Sequence, residues 1–293
     1  MSPPPTLYRE VRVPPSPISP ALVLNIDTVG SSQQRALARA GSKRSFDEIS
    51  SGLDEETYAR KHLATEGNVF FRSSQRAPRS FLWRTLDDRR VLEIQAVDIV
   101  NDSYGGEGNG WLKYRVHLQD AILPGGVVLA DPEETDALEC FVFTESKELF
   151  TITLKRDLLT RATVPAEFDS ATCVKRYSSS FLGLRQPYRF HAASSLELLV
   201  SLTDGSLVRL ERRAGESGAQ WRETIFSEGG WSGSFSLKKM IPFSSQRTIR
   251  YGDLELDASA IVDMARTPDG RHIWTLTLDH WLKMWSIKTG KVV

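Results

Sequence analysis

The chain has 293 residues, 40% apolar and 25% charged, a globular composition with enough apolar side chains for a sizeable core. Its 37 basic residues balance 37 acidic ones, so no net positive field points to a nucleic-acid partner. No apolar run approaches the roughly 20 residues of a membrane-spanning helix, and the proline-rich start MSPPPTLYREVRVPPSPISP lacks the apolar segment of a secretory signal. An intracellular, soluble protein without a membrane anchor of its own is expected.

Within the first 27 residues, Leu7–Val13 alternates apolar and polar and Ala21–Ile26 is a short apolar run, so both are predicted strands. Residues 28–67 are rich in Ser, Arg, Glu, Asp, Gln and Ala. They are expected to form a mobile polar insertion, with one helical candidate at Leu53–Leu63. The basic pair Lys43-Arg44 is too short for a nuclear import cluster and is expected in a solvated loop.

From residue 68 to 293 the pattern is β. Four hairpins recur: FLWRTLDDRRVLEIQAV, ALECFVFTESKELFTITL, SLELLVSLTDGSLVRLER and HIWTLTLDHWLKMWSI. Their turns fall at Asp87-Asp88, Glu145-Ser146, Asp204-Gly205 and Asp279-His280. The turns lie about 58, 59 and 75 residues apart, wider than the ~40–45 of a compact WD-repeat blade. Trp111–Leu118, Ala171–Tyr177 and Gln220–Ser227 are expected as outer strands. Gly126–Ala130, Pro187–Ala192 and Ile261–Ala265 are expected as innermost ones. The predicted fold is all-β: a partial β-propeller of about four blades, the last incomplete, because only Lys291-Val292-Val293 follow the turn at Thr289-Gly290. Ala21–Ile26 or Leu7–Val13 is a candidate closing strand for the ring. An open end would leave a sheet edge unpaired and apolar faces wet, so low solubility is expected of the chain alone.

Candidate chemistry is sparse. His62, His117, His191, His272 and His280 show no zinc-ligand spacing. Gly105-Gly106-Glu107-Gly108-Asn109-Gly110 lies between strands and leads into no helix, so it is a hairpin tip rather than a phosphate cradle. The acidic turn Asp131-Pro132-Glu133-Glu134 with Asp136 is expected to be solvated. Asp253, Glu255 and Asp257 are expected to be exposed on a half-buried strand. Cys140 and Cys173 sit in strand-like runs and are expected as buried thiols in a reducing compartment. Trp111, Trp221, Trp274, Trp281 and Trp285 are expected to fill the space between blades, and Trp231, among glycines and serines, to be a candidate surface contact. Lys147–Arg161 could be drawn as a basic amphipathic helix, but the β-branched alternation Thr151-Ile152-Thr153-Leu154 favours a strand. No catalytic, cofactor-binding or metal-binding residue is assigned.

The phrases FLWRTLDDRRVLEIQAVDI, LPGGVVLADPEETDALECFVFTESKELFTITL, ELLVSLTDGSLVRLER, FSEGGWSGSF and RTIRYGDLELDASAIVDMARTPDGRHIWTLTLDHWLKMWSIKTGK, taken in this order, resemble the N-terminal propeller of the nucleoporin 120/160 family in its filamentous-fungal form. The opening LYREVRV is similar to the family's start. The resemblance implies a non-enzymatic scaffold subunit of the nuclear pore's Y-shaped outer-ring complex at the nuclear envelope. It implies other Y-complex nucleoporins as partners, support of mRNA export and protein transport, and no cofactor. It implies no direct contact with nucleic acid, and membrane proximity only through the pore scaffold. In the family a long helical region follows the propeller, and the chain departs by ending within a blade. Apart from the resemblance, the strand pattern fits an interaction adaptor or a vesicle-coat scaffold equally well. Its Trp285-Ser286 pair looks WD-like, with Ser286 where a WD repeat has aspartate.

Overall fold

A computed structural model describes residues 21–25, 64–74, 76, 78–97, 113–132, 135–159, 170–178, 186–216, 220–226, 248–251 and 254–293. Leu7–Val13, Leu53–Leu63, the glycine-rich stretch at 105–110 and Trp231 lie outside them, as does most of the segment 28–67.

The first sheet is an antiparallel meander of β2 (Glu66–Phe71), β3 (Ser80–Leu86), β4 (Val91–Val97) and β5 (Lys113–His117). Before it comes β1 (Ala21–Asn25), which lies parallel to β5 as a fifth strand. The candidate closing strand therefore pairs in the first sheet and not in the last. Leu24 explains the choice: it is opposite Val116 and fully buried in the same core. Covering β5 also removes one open row of backbone donors and acceptors.

The second sheet runs β6 (Ile122–Ala130), β7 (Ala137–Thr144), β8 (Glu148–Lys155) and β9 (Val174–Ser178). The third runs β10 (Pro187–Ser194), β11 (Glu197–Leu202), β12 (Leu207–Glu211) and β13 (Arg222–Phe226). A small hairpin of β14 (Thr248–Tyr251) and β15 (Leu254–Asp257) follows. The fourth sheet is β16 (Ile261–Arg266), β17 (His272–Thr277), β18 (Leu282–Ser286) and the two-residue β19 (Lys291–Val292).

All four predicted hairpins form, each as the two middle strands of a sheet. Their turns require left-handed backbone, and only one supplies glycine for it, Gly205 at φ 80°; Asp87, Asp88, Arg89, Lys147 and His280 also have positive φ. The predicted outer strand at Ala171–Tyr177 begins late. Ser170–Cys173 forms a one-turn helix (α2), and β9 starts at Val174. Neighbours on a strand point to opposite faces, yet Cys173 and Val174 are both buried in one core; a helical turn lets both face inward. Likewise α1 (Arg156–Leu159) follows β8 and drops Leu159 into that core.

The sheets stack face to face around their first strands. β10 neighbours both β6 and β16, and β2 neighbours β6. Strand alternation sorts each sheet's residues between two cores. On β7, which is buried throughout, Leu138, Cys140 and Val142 face the first sheet while Phe141 and Phe143 face the third. On the third sheet, Leu198, Val200 and Leu210 face back to the second, and Leu199, Leu207 and Phe226 face the fourth. Aromatic pairs lock the later junctions: Phe141 meets Trp221 edge-on at 5.8 Å, and Phe226 meets Trp285 at 6.1 Å. Cys140 and Cys173 are buried thiols without a disulfide, and burial pushes the Cys140 thiol pKa up.

The two outward faces differ. On the fourth sheet Ile273 and Trp285 turn to the third, whereas Trp274, Leu276, Trp281 and Leu282 are exposed, Trp281 by 64%. Trp274 and Trp281 therefore do not fill an interblade space, contrary to the sequence expectation, because alternation aims Trp274 away from the third sheet and Trp281 sits at the turn into β18. On the first sheet the outward face carries an ion cluster beside the exposed Val23, Val69 and Phe71. Glu93 lies between Arg84 (2.6 Å) and Arg115 (2.8 Å), beside the buried Lys113.

Candidate functional site

The junctions between sheets hold the polar chemistry. At one end of the stack, where first strands lead into second strands and third into fourth, an arginine spans each junction. Arg72, just after β2, has a fully buried side chain. Its Nε donates to Asp131 at 2.9 Å, and its Nη2 to Asp136 and the Ala137 carbonyl at 3.3 Å. Asp131 also accepts the Ser74 N–H at 3.0 Å. Burial alone would raise the Asp131 pKa, but the Ser74 hydroxyl and N–H and the Arg72 guanidinium together hold it below the ordinary carboxylate value. Asp131, in the acidic turn expected to be solvated, is thus an anchor: its side chain is only 3% exposed.

Arg212, after β12, reaches back to the second sheet and pairs with Glu139. It also donates to the Ser195 carbonyl at 2.9 and 3.1 Å, and its guanidinium lies 5.1 Å from the Trp221 ring centre and 5.9 Å from that of Phe141. At the third junction Arg209 donates to the Ile287 carbonyl at 2.7 Å and Arg266 to the Ala193 carbonyl at 3.2 Å, with Glu197 near both guanidinium groups.

At the opposite end, backbone bonds join the hairpin turns to the links between sheets. Ile122 N–H donates to Arg89 O (2.8 Å), Glu145 to Ala121 (2.9 Å), Thr203 to Gln186 (2.9 Å), Asp257 to Thr203 (2.9 Å) and Asp279 to Ala258 (2.9 Å). Gly205 is pressed onto Ser259: a Cβ there would lie 2.6 Å from the Ser259 carbonyl oxygen. Asp279 takes a hydrogen bond from the Thr277 hydroxyl and shapes the turn, as expected. Trp285 Nε1 donates to Thr275 Oγ1 at 2.8 Å and ties the middle strands of the fourth sheet together.

Other singled-out residues are accounted for locally. Asp257 accepts from the Ser259 N–H and hydroxyl, each at 3.0 Å; Asp253 and the side chain of Glu255 lie outside the described residues. The described histidines do not converge, and no cluster of metal-ligand type occurs among the described residues. No helix among them is long and apolar enough to cross a membrane. Lys147–Arg161 is strand β8 with a single helical turn after it. Sequence reasoning missed the clasp arginines because their partners are remote: Arg72 and Asp131 are 59 positions apart, Arg212 and Glu139 73.

Four-stranded meanders stacked about their first strands, with a core in each junction and an arginine across it, have the architecture of a β-propeller. A family model for the β-propeller domain of nucleoporins Nup120/160 matches residues 79–293, and the chain belongs to that family. It is 28% identical over 293 residues to the nucleoporin NUP120 of Chaetomium thermophilum, covering 98% of this chain and 23% of that protein, so it spans about a quarter of the relative's length. The β-propeller domain of Cps50 (Swd1) from Myceliophteria thermophila aligns over 78% of this chain and 58% of its own, with 11% identity and a TM-score of 0.42.

Proposed function

We propose that the chain serves as a propeller portion of a nuclear-pore scaffold subunit. In this reading it is held in the outer-ring Y-complex by other nucleoporins and supports mRNA export and nucleocytoplasmic protein transport. It acts structurally, without catalysis, a cofactor or direct nucleic-acid contact. The carrying observation is the family match from residue 79 to 293, reinforced by similarity over 98% of the chain to a nucleoporin. The architecture suits the role. Stacked sheets with cores on both faces resist bending as one body, and the arginine clasps stop neighbouring sheets from sliding. Loop tips and outer strands remain available for partners.

The test is the endogenously tagged protein in its own organism. A nuclear-rim signal, with other pore scaffold subunits recovered in the pull-down, is the expected result. A diffuse cytosolic signal without such partners overturns the reading.

A further inference from the structure

Among the described residues, one half-buried arginine with a buried Nε makes no hydrogen bond or ion pair through its guanidinium. Every other described arginine that is not surface-exposed donates to a carboxylate or a carbonyl: Arg72, Arg76, Arg84, Arg89, Arg115, Arg209, Arg212 and Arg266 all do so. The guanidinium of Arg189, on the innermost strand β10, makes no hydrogen bond or ion pair among the described residues, and its Nε is buried. Its attraction to the Tyr188 ring, 5.1 Å away, offsets part of the desolvation but satisfies no N–H.

Arg189 lines a cavity of about 180 Å³ where three innermost strands approach one another. Gly125 of β6, His191 of β10, and Val262, Asp263 and Met264 of β16 form the rest of its wall with Phe190. His191 lies two residues from Arg189 on the same strand face, with Asp263 and Arg266 acting on its imidazole electrostatically. The backbone is irregular where the strands meet: β6 shifts register between Ile122 and Val127, β10 between Pro187 and Arg189, and β16 between Ile261 and Asp263. Bulges of this kind re-aim side chains and leave backbone unpaired. The carboxylate of Glu66 is already committed, accepting the Gly125 N–H at 3.0 and 3.1 Å.

The geometry points to a binding site for a carboxylate, supplied by an acidic side chain of a peptide that enters between the first strands of the sheets, with Arg189 as its fork and His191 as a second polar contact. A carboxylate matches the planar guanidinium. The exposed Asp263 on the opposite wall disfavours a dianion such as phosphate, and the volume admits a side chain rather than a nucleotide. The inference is independent of the pore-scaffold reading, since it asks only what this cavity holds.

The test uses the whole 293-residue chain and fluorescence anisotropy with a labelled glutamate-rich glycine–serine peptide and its glutamine counterpart. The glutamate peptide should bind about tenfold or more tightly than the glutamine one, and Arg189→Gln should erase that difference. Asp263→Asn alters an exposed residue and should strengthen glutamate-peptide binding by about two- to threefold, because a like charge is removed. That gain of binding keeps the test decisive should Arg189→Gln fail to fold, as read by its melting curve. Acetate should displace the peptide only at far higher concentration. Acetate equal to the peptide would assign the site to free small carboxylates and overturn the peptide source. Equal binding of both peptides, unchanged affinity in both variants, or displacement by inorganic phosphate more readily than by acetate overturns the carboxylate site.

Discussion

The junction between the second and third sheets and the outward face of the fourth sheet use the same residue types and end in opposite surroundings. At the junction, Phe141, Phe143, Leu198, Val200 and Trp221 alternate into a closed core, with the Arg212–Glu139 pair sealing one end. On the fourth sheet, Trp274, Leu276 and Leu282 alternate just as regularly and are 38%, 39% and 61% exposed. Periodicity states that a strand has two faces with different side chains. Which face is covered depends on whether a second sheet lies about 10 Å away. The outward face of the first sheet lies between these cases, since it carries the Arg84–Glu93–Arg115 cluster beside the exposed Val23, Val69 and Phe71.

The largest expected effect lies in the closed junction. Phe141→Ala should cost about 3–5 kcal/mol in a denaturant titration, through lost burial and the cavity left beside Trp221. Trp274→Ala on the open face should change stability far less; similar losses at the two sites would show that the fourth sheet's outer face is covered in solution.

Arg212→Ala should cost nearly as much, about 3–5 kcal/mol, because Glu139 would stay buried without its cation. The double variant Arg212→Met with Glu139→Leu should recover most of that loss, and failure to recover would mean the pair contributes more than charge compensation.

Gly205→Ala should destabilise by about 1–3 kcal/mol, combining left-handed backbone strain with the clash against Ser259. The expected sign is a clear drop in melting temperature; an unchanged melt would mean that the turn moves away from Ser259 at little cost.

The smallest expected effect is electrostatic and depends on pH. Burial alone would raise the Glu93 pKa, but hydrogen bonds and charges from Arg115 and Arg84 outweigh it and leave the value below the ordinary one. A group lowered in the folded state binds its proton more readily when unfolded. Its stabilisation is therefore present above the ordinary glutamate pKa and is lost as pH falls through the folded value. Glu93→Gln should flatten the acid limb of the stability curve while leaving the open face of the fourth sheet untouched. An acid limb of unchanged steepness would assign it to other carboxylates.

Some elements were legible because their causes are local. The pairs Asp87-Asp88, Glu145-Ser146, Asp204-Gly205 and Asp279-His280 break alternating runs, and each became the central turn of a sheet. Of the hairpin β14–β15 only the second strand was legible, from the alternation of Asp253, Glu255 and Asp257, because the four-residue run of β14 carries little periodic signal. The partner of β1 was illegible for another reason. Leu22 and Leu24 mark a strand, but only the place of Val116 in a shared core shows that the strand belongs beside β5.

Local chemistry in the sequence thus determined the strands, their turns and the grouping into repeats, since each depends on residues within a few positions. The tertiary structure decided the rest. It turned Asp131 from a surface acid into the anchor of Arg72, set Arg212 between two aromatic rings, left Trp274 and Trp281 in solvent and, among the described residues, Arg189 without a counterion. Each of these outcomes depends on groups from different sheets, often 60 or more positions apart, coming within hydrogen-bond or van der Waals distance. Alternation along one strand holds no information about that separation.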